Sequence, residues 1–389
     1  MTDPPALRLA PPDFLAEPGL AAVLDALPDA RLVGGCVRDL LAERPVADID
    51  LATPDAPEAV MVALQKAGLR AVPTGLAHGT VTAVAMHRGF EITTLRRDVS
   101  TDGRHAVVVF TDDWRADAAR RDFTMNALSM TRDGAVFDYF GGIADLRAGQ
   151  VRFVGDPATR IAEDYLRILR FFRFHARFGR GAPGAAEMDA IRAGVAGMAR
   201  LSVERVWSEL KRILVVPGPA AAIELMRGLG VLQAVLPEAG ASERLARMVG
   251  AGAPEDPVLR LAALLEGDAS ALAMRLRFST AERERLLAVL GSPAPPPEAD
   301  DAQLRRLLAD APAEVLIGRN WLTAPDASLR ARLLAMPRPV FPLHGRDLGL
   351  PAGPAVGAAL RELRGWWWAG GCTASRAELL ARLRTGAQR

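Results

Sequence analysis

The chain reads as an α+β protein, a small mixed head of strands and helices followed by a long body of helices alone. Three observations carry that reading. Over the first 155 or so residues, alternating or β-branched runs punctuated by Gly, Asp and Pro interchange with helical stretches. From Pro157 onward the strand signals vanish, and apolar residues recur at helical spacing. Finally, 389 residues exceed one ordinary hydrophobic core, so more than one domain is expected.

In the head, the strand candidates are "RLVGG", "ADIDLA", "GTVTAVAMHRG", "FEITTLR", "AVVVFT" and "GAVFDYF". Between them lie the helical "VRDLLAE" and "PDAPEAVMVALQKAG", the second opening on Asp/Pro and closing on Gly68. Further on, "ATRIAEDYLRILRFFRFHARFG" reads as helix up to Gly179, and "LSVERVWSELKRIL" as a helix capped by Ser202 and closed by Pro217. Ala/Leu/Arg-rich helices continue to the end, interrupted by "GSPAPPPEADD" (residues 291–301), an exposed linker or loop by composition. The expected division is a head over residues 1–155, a helical neck over 156–216, and a helical body and tail over 217–389.

Hydrophobic residues make up 50% of the chain and charged ones 24%, the balance of a soluble globular protein. With a net charge of only +2, a polyanion partner would have to meet a local basic patch. Cys36 and Cys372 show neither metal nor disulfide spacing, which fits a reducing compartment. The opening "MTDPPALRLAPPDF" lacks the pattern of a secretory signal, and no apolar stretch approaches the roughly 20 residues of a membrane span. A cytoplasmic protein with no membrane partner is expected.

Chemistry concentrates in a few places. Asp48 and Asp50 stand two apart in a strand-like run, hence on one face, and like charges so placed call for a cation between them. Two solvated acids on an edge strand would look the same. Thirteen residues before Asp48, however, Gly35 ends "LVGG" where a helix begins. Glycine lets backbone approach a ligand, a helix start offers N–H groups to phosphate, and Arg38 adds a charge. A glycine pair alone is an ordinary tight turn; joined to the two aspartates it suggests phosphoryl transfer with Mg²⁺ on Asp48 and Asp50.

Asp164 and Arg167 are three apart in what reads as one helix, a spacing shared by common surface ion pairs. A carboxylate beside a guanidinium also matches the edge common to cytosine and adenine, an amine donor next to a ring-nitrogen acceptor. Guanine and uracil present the reverse. Arg170 and Arg173 continue the three-residue steps and could reach phosphates or support the pair. Phe171, Phe172, Phe174 and Phe178 are read as core. In Trp366-Trp367-Trp368, three consecutive helical positions point to packing with partial exposure rather than to an RNA-stacking platform. His78 and His105 receive no catalytic role.

In order along the chain, "LVGGCVRDLLAERPVADIDLAT", "RRDFTMNAL" and "GDPATRIAEDYLRILRFFRFHARF" resemble the class II CCA tRNA nucleotidyltransferase and bacterial poly(A) polymerase family, most of all its bacterial CCA-adding members. The resemblance spans roughly residues 28–215, and "GRDLGLPAGPAVGAALRELRGWWWAGG" is more loosely similar to the tail of bacterial members. It implies a polymerase-β-like nucleotidyltransferase head followed by an all-α neck, body and tail.

Carried onto matching positions, the resemblance assigns the triphosphate to Gly35 and Arg38 and the metal to Asp48 and Asp50. It makes Glu91 a third acidic position, although an acid on an alternating strand is as readily solvent-facing. Arg121 would hold the nucleotide, Asp122 its ribose hydroxyl, and Asn126 would add a polar contact. Asp164 and Arg167 would read the base. Glu204, Arg205 and Glu209 are expected to buttress the nucleotide-binding helix. The segment between Glu91 and "RRDF" corresponds to a loop that the family associates with the switch to adding the terminal A. The implied function is template-independent addition or repair of the tRNA 3′ CCA from CTP and ATP, with release of pyrophosphate. Poly(A) polymerase, a partial CC- or A-adding enzyme, and a non-catalytic RNA-binding protein are the rivals.

Overall fold

The computed structural model describes residues 3–101 and 106–386. The head's strands are β1 (Leu7–Arg8), β2 (Arg31–Val33), β3 (Asp50–Thr53), β4 (Arg70–Gly75), β5 (Thr80–Ala85), β6 (Arg88–Thr94), β7 (Arg96–Thr101), β8 (Ala106–Phe110), β9 (Leu128–Met130) and β10 (Ala135–Asp138). Eight of them form one mixed sheet in the order β1-β10-β9-β2-β3-β6-β5-β4, while β7 and β8 pair by themselves. The β3–β6 pairing is parallel and sets Asp50 directly opposite Glu91. β5 turns into β6 through Met86 and His87, both at positive φ, as a two-residue hairpin loop of the right twist requires.

Four strands escape the sequence reading for identifiable reasons. β1 is two residues long, and β4 is a half-exposed strand containing Pro73. β7 is largely polar. All three residues of β9 are buried, so no alternation marks it. Asp48 lies just before β3 rather than within it, yet alternation persists: Asp48 and Asp50 are exposed and Ile49 between them is buried. The helices Pro18–Ala26 and Pro57–Lys66 close the head core, where Leu20, Val23, Val60 and Leu64 pack with Leu32, Leu51, Val81, Phe90 and Ile92. "TDG" and His105 of the segment before "RRDF" fall wholly or partly outside the described residues.

The helix expected across residues 157–178 is two helices, Pro157–Glu163 and Leu166–Phe178. Asp164 between them is extended (φ −156°, ψ 106°), and its carboxylate accepts the Leu166 N–H at 3.1 Å. Aspartate competes for backbone donors in this way, and so it opens the second helix instead of continuing the first. Asp164 and Arg167 are therefore not neighbours on one helix face. The helix Leu166–Phe178 buries all four phenylalanines. Phe171 stacks on Phe153 at 5.8 Å, and Phe123 meets Phe153 at 4.9 Å and Phe174 edge-on at 5.2 Å. The helix Val203–Leu214 starts after Ser202 as expected, although the Ser202 side chain makes no capping bond.

By its internal contacts the chain divides into two compact units, residues 1–217 with 221–237 and residues 218–220 with 238–389. Residues 1–155 and 156–216 thus share one unit. The second unit is helical where described. One of its cores gathers Leu304, Leu308, Leu316, Leu329 and Leu333; another gathers Leu343, Leu363, Trp367 and Leu379. Trp367 is 3% exposed, against 36% for Trp366 and 44% for Trp368. Residues 292–300 carry no helix, and Ala299 there is buried. Among the described residues no helix is long and apolar enough to cross a membrane.

Candidate active site

One cleft of 520 Å³ in the first unit is lined by Gly34, Gly35, Arg38, Asp50, Arg121, Asp122, Asn126, Asp164, Arg167 and Arg170. The sequence reading named all ten of these, but not Leu166 or Arg212, which also line the cleft. Asp48 and Glu91 line an adjoining recess that also includes Asp50.

The floor begins at Gly34, whose φ of +69° favours glycine and where a Cβ would lie 2.8 Å from Arg121 Nη1. The sequence reading took Gly34 and Gly35 as a pair, and the resemblance carried Gly35 alone to the triphosphate; Gly35 starts the helix Gly35–Leu41, and the backbone demand falls on Gly34. Cys36 ties this helix start to the sheet, its thiol donating to the Val33 carbonyl at 3.3 Å. Burial pushes that thiol up to about 11, which leaves it a packing group rather than a nucleophile.

Arg38 reaches the cleft as a paired cation. Its Nη1 donates to Asn126 Oδ1 at 2.6 Å and its Nε to Asp39 at 2.9 Å. Asn126 in turn donates from Nδ2 to Asp122 Oδ1 at 2.9 Å, and Arg170 Nε donates to Asp122 Oδ2 at 2.7 Å. This chain links the helix Gly35–Leu41, the "RRDFTMN" segment and the helix Leu166–Phe178. Burial works against the Asp122 charge, but Arg170, Asn126 and the Phe123 N–H outweigh it and hold the carboxyl below its ordinary range.

Behind this row lies a residue that sequence reasoning missed. Asp117 is buried and accepts from Arg120 Nε at 2.8 Å and Arg121 Nη2 at 3.3 Å. Its spacing of three and four from those arginines on a short helix was the available signal.

Asp164 and Arg167 are each held by other residues. Arg205 Nη2 donates to Asp164 Oδ2 at 2.6 Å. Arg167 donates from Nη1 to Glu163 at 2.5 Å and to the Arg160 carbonyl at 2.8 Å, and from Nη2 to the Arg120 carbonyl at 3.1 Å. Glu209 likewise accepts from Arg173 Nε at 2.8 Å. A carboxylate and a guanidinium thus face one cleft with fixed, separate anchors.

The acidic side of the site is crowded. Burial raises the Asp50 carboxyl above its usual range; Glu91 and then Asp48 add to the rise, and Arg121 offsets only part of it. Among the described residues no group of three or more His, Cys, Asp and Glu could by itself hold a metal ion. The donor set instead fits a cation that takes one or two carboxylates and completes its shell with phosphate oxygens and water. An uncompensated build-up of negative charge around Asp50 is what such a cation relieves. A divalent metal is general in nucleotidyltransferases.

With this geometry established, the chain can be compared with known proteins. The model described as the poly A polymerase head domain matches residues 30–152, and that described as a probable RNA and SrmB-binding site of polymerase A matches residues 187–242. The mouse mitochondrial CCA tRNA nucleotidyltransferase 1 is 36% identical, with 96% of this chain and 92% of the relative covered. The human protein of the same name is 37% identical, covering 91% and 86%. A crystal structure of the Bacillus stearothermophilus CCA-adding enzyme in complex with CTP superimposes with a TM-score of 0.80 at 28% identity, over 98% of both chains. Fold and site define a nucleotidyltransferase. The chain belongs to the CCA tRNA nucleotidyltransferase family.

Proposed function

We propose that this protein adds or repairs the 3′-terminal CCA of tRNA without a template, using CTP and ATP and releasing pyrophosphate. The observation that carries the proposal is the pair Asp164 and Arg167, an acceptor and a donor anchored independently by Arg205 and Glu163 in the cleft that holds Asp50. Fixed groups of that kind suit the amine-plus-ring-nitrogen edge of cytosine or adenine and leave guanine and uracil with mismatched donors and acceptors. The names of the mouse and human relatives and the CTP in the Bacillus stearothermophilus structure support the same reading.

In this proposal Gly34 and Gly35 leave room for the triphosphate, and Arg121 and Arg38 supply positive charge beside it. Asp122, held by Arg170 and Asn126, orients the ribose. Mg²⁺ would be held by Asp48 and Asp50 with Glu91 adjacent, and when bound it would lower the pKa of the attacking hydroxyl and stabilise the charge that develops at phosphorus. The tRNA 3′ hydroxyl forms the new bond to the α-phosphate, and pyrophosphate leaves. Residues 156–216 are proposed as the nucleotide-selecting neck and residues 217–389 as the tRNA-binding body and tail. The cytoplasm is the proposed compartment, where Cys36 and Cys372, both free and buried, would stay reduced.

The test uses purified protein with tRNAs ending before CCA, after C and after CC, each NTP supplied singly and together with Mg²⁺. Incorporation that stops at CCA is expected. Long A tails, or no metal-dependent incorporation, would overturn the proposal.

A further inference from the structure

A second cavity of 490 Å³ in the same unit is lined by Arg44, Arg147, Arg177, Arg180 and Phe178, with Glu43 as its one acid. Arginines of the active-site cleft are neutralised by carboxylates: Arg38 by Asp39, Arg121 by Asp117, Arg167 by Glu163, Arg170 by Asp122, Arg205 by Asp164. Among the described residues, none of the four arginines of the second cavity has a carboxylate within ion-pair distance, although the whole chain is nearly neutral.

Neutral groups position Arg44 and the backbone of Arg180 instead. Arg44 Nη2 donates to the Arg177 carbonyl at 2.7 Å, and its guanidinium lies 4.5 Å from the centre of the Phe178 ring. The Arg180 N–H donates to the Gly149 carbonyl at 2.8 Å. The Arg180 side chain passes across Gly149 (φ +68°), where a Cβ would collide with it. A guanidinium anchored on a carbonyl and a ring, as that of Arg44 is, keeps its full charge and its remaining N–H groups for phosphate.

We propose that this cavity is a second phosphate site, which takes the sugar–phosphate backbone of the RNA substrate; it rests on the reading above that the substrate is RNA. Arg173 lines the active-site cleft and Arg177 lines the second cavity, four residues or about 6 Å apart along the helix Leu166–Phe178. Arg173 is paired with Glu209, so the unpaired positive charge begins at Arg177, about one helical turn from the wall of the cleft. A free diphosphate would use only part of four arginines, three of them exposed on the rim, whereas successive phosphates of one strand engage all of them.

The experiment measures binding of a tRNA lacking CCA to the full chain by filter retention between 50 and 200 mM salt, with a parallel calorimetric titration of inorganic pyrophosphate. For the double variant Arg147→Ala/Arg180→Ala, tRNA affinity near 0.1 M salt should fall roughly tenfold or more, and the slope of log affinity against log salt should flatten by about 2. The turnover number at saturating tRNA should stay within about twofold of the parent, as expected for contacts that only position the RNA. Glu43→Gln should act in the opposite sense and tighten binding, an outcome that misfolding does not imitate. Unchanged tRNA affinity and slope in the double variant would overturn the proposal. So would loss of pyrophosphate binding with tRNA affinity intact, which would make the cavity a site for released product. Failure of the CCA reading shows elsewhere, as wild-type protein that binds tRNA without extending it.

Discussion

Asp50 and Asp122 are carboxylates lining one cleft, yet their environments push them in opposite directions. Asp50 is raised by burial and by Glu91 and Asp48, so its contribution to stability is present below its ordinary pKa of about 4 and is lost as pH rises through the folded value. At neutral pH its charge therefore works against the fold. Asp50→Asn should abolish nucleotidyl transfer while leaving the melting temperature unchanged or higher; retained transfer in the incorporation assay would count against its catalytic role. Asp122 is depressed because Arg170 and Asn126 outweigh its burial, so its stabilisation is present above its ordinary pKa and is lost as pH falls through the folded value. Asp122→Asn should cost about 3–5 kcal/mol at pH 7 in urea melts, as breaking a buried pair does, and the cost should shrink as pH falls below about 4. A cost independent of pH would contradict the ion-pair account.

Two elements aim the site. The parallel register of β3 and β6 sets Glu91 opposite Asp50, and a slip of one residue would turn Glu91 to the other face of the sheet. The break at Asp164 separates the reading carboxylate from the helix that carries Arg167, and the helix Val203–Leu214 supplies Arg205 to hold it. Arg205→Ala is expected to weaken discrimination against GTP and UTP several-fold more than it lowers the rate with CTP, and Arg205→Lys should restore part of it. Competition assays with mixed nucleotides measure this. Unaltered discrimination in the alanine variant would remove Arg205 from base selection.

At the scale of the whole molecule, charge is nearly balanced in number but not in place. Carboxylates neutralise the arginines of the catalytic cleft, while among the described residues those of the second cavity have no carboxylate within ion-pair distance. Stability is likewise local, because each unit has cores of its own. Trp367 belongs to one core of the second unit, so Trp367→Ala should cost about 3–5 kcal/mol in denaturant melts. Trp366→Ala should cost under about 1 kcal/mol, since that residue is 36% exposed and its ring meets Arg382 at 4.8 Å. Equal losses would contradict the packing described for the triple tryptophan.

The sequence by itself determined the α+β head and helical body, most of the residues that line the cleft, the buried phenylalanines, and packing with partial exposure for the triple tryptophan. Those features rest on local patterns: periodicity, glycine and aspartate punctuation, and motifs kept in order. Tertiary structure alone decided that Gly34 rather than Gly35 bears the positive φ and that Asp164 interrupts a helix. It also decided that Arg38 arrives already paired and that Asp117 organises two arginines from behind. Each of these depends on a partner distant in sequence or on competition for backbone donors, and no local period encodes either. The second arginine cavity belongs to the same class. Arg44, Arg147 and the pair Arg177 and Arg180 come from three separate stretches, and only the fold brings them together; among the described residues none of them is ion-paired to a carboxylate.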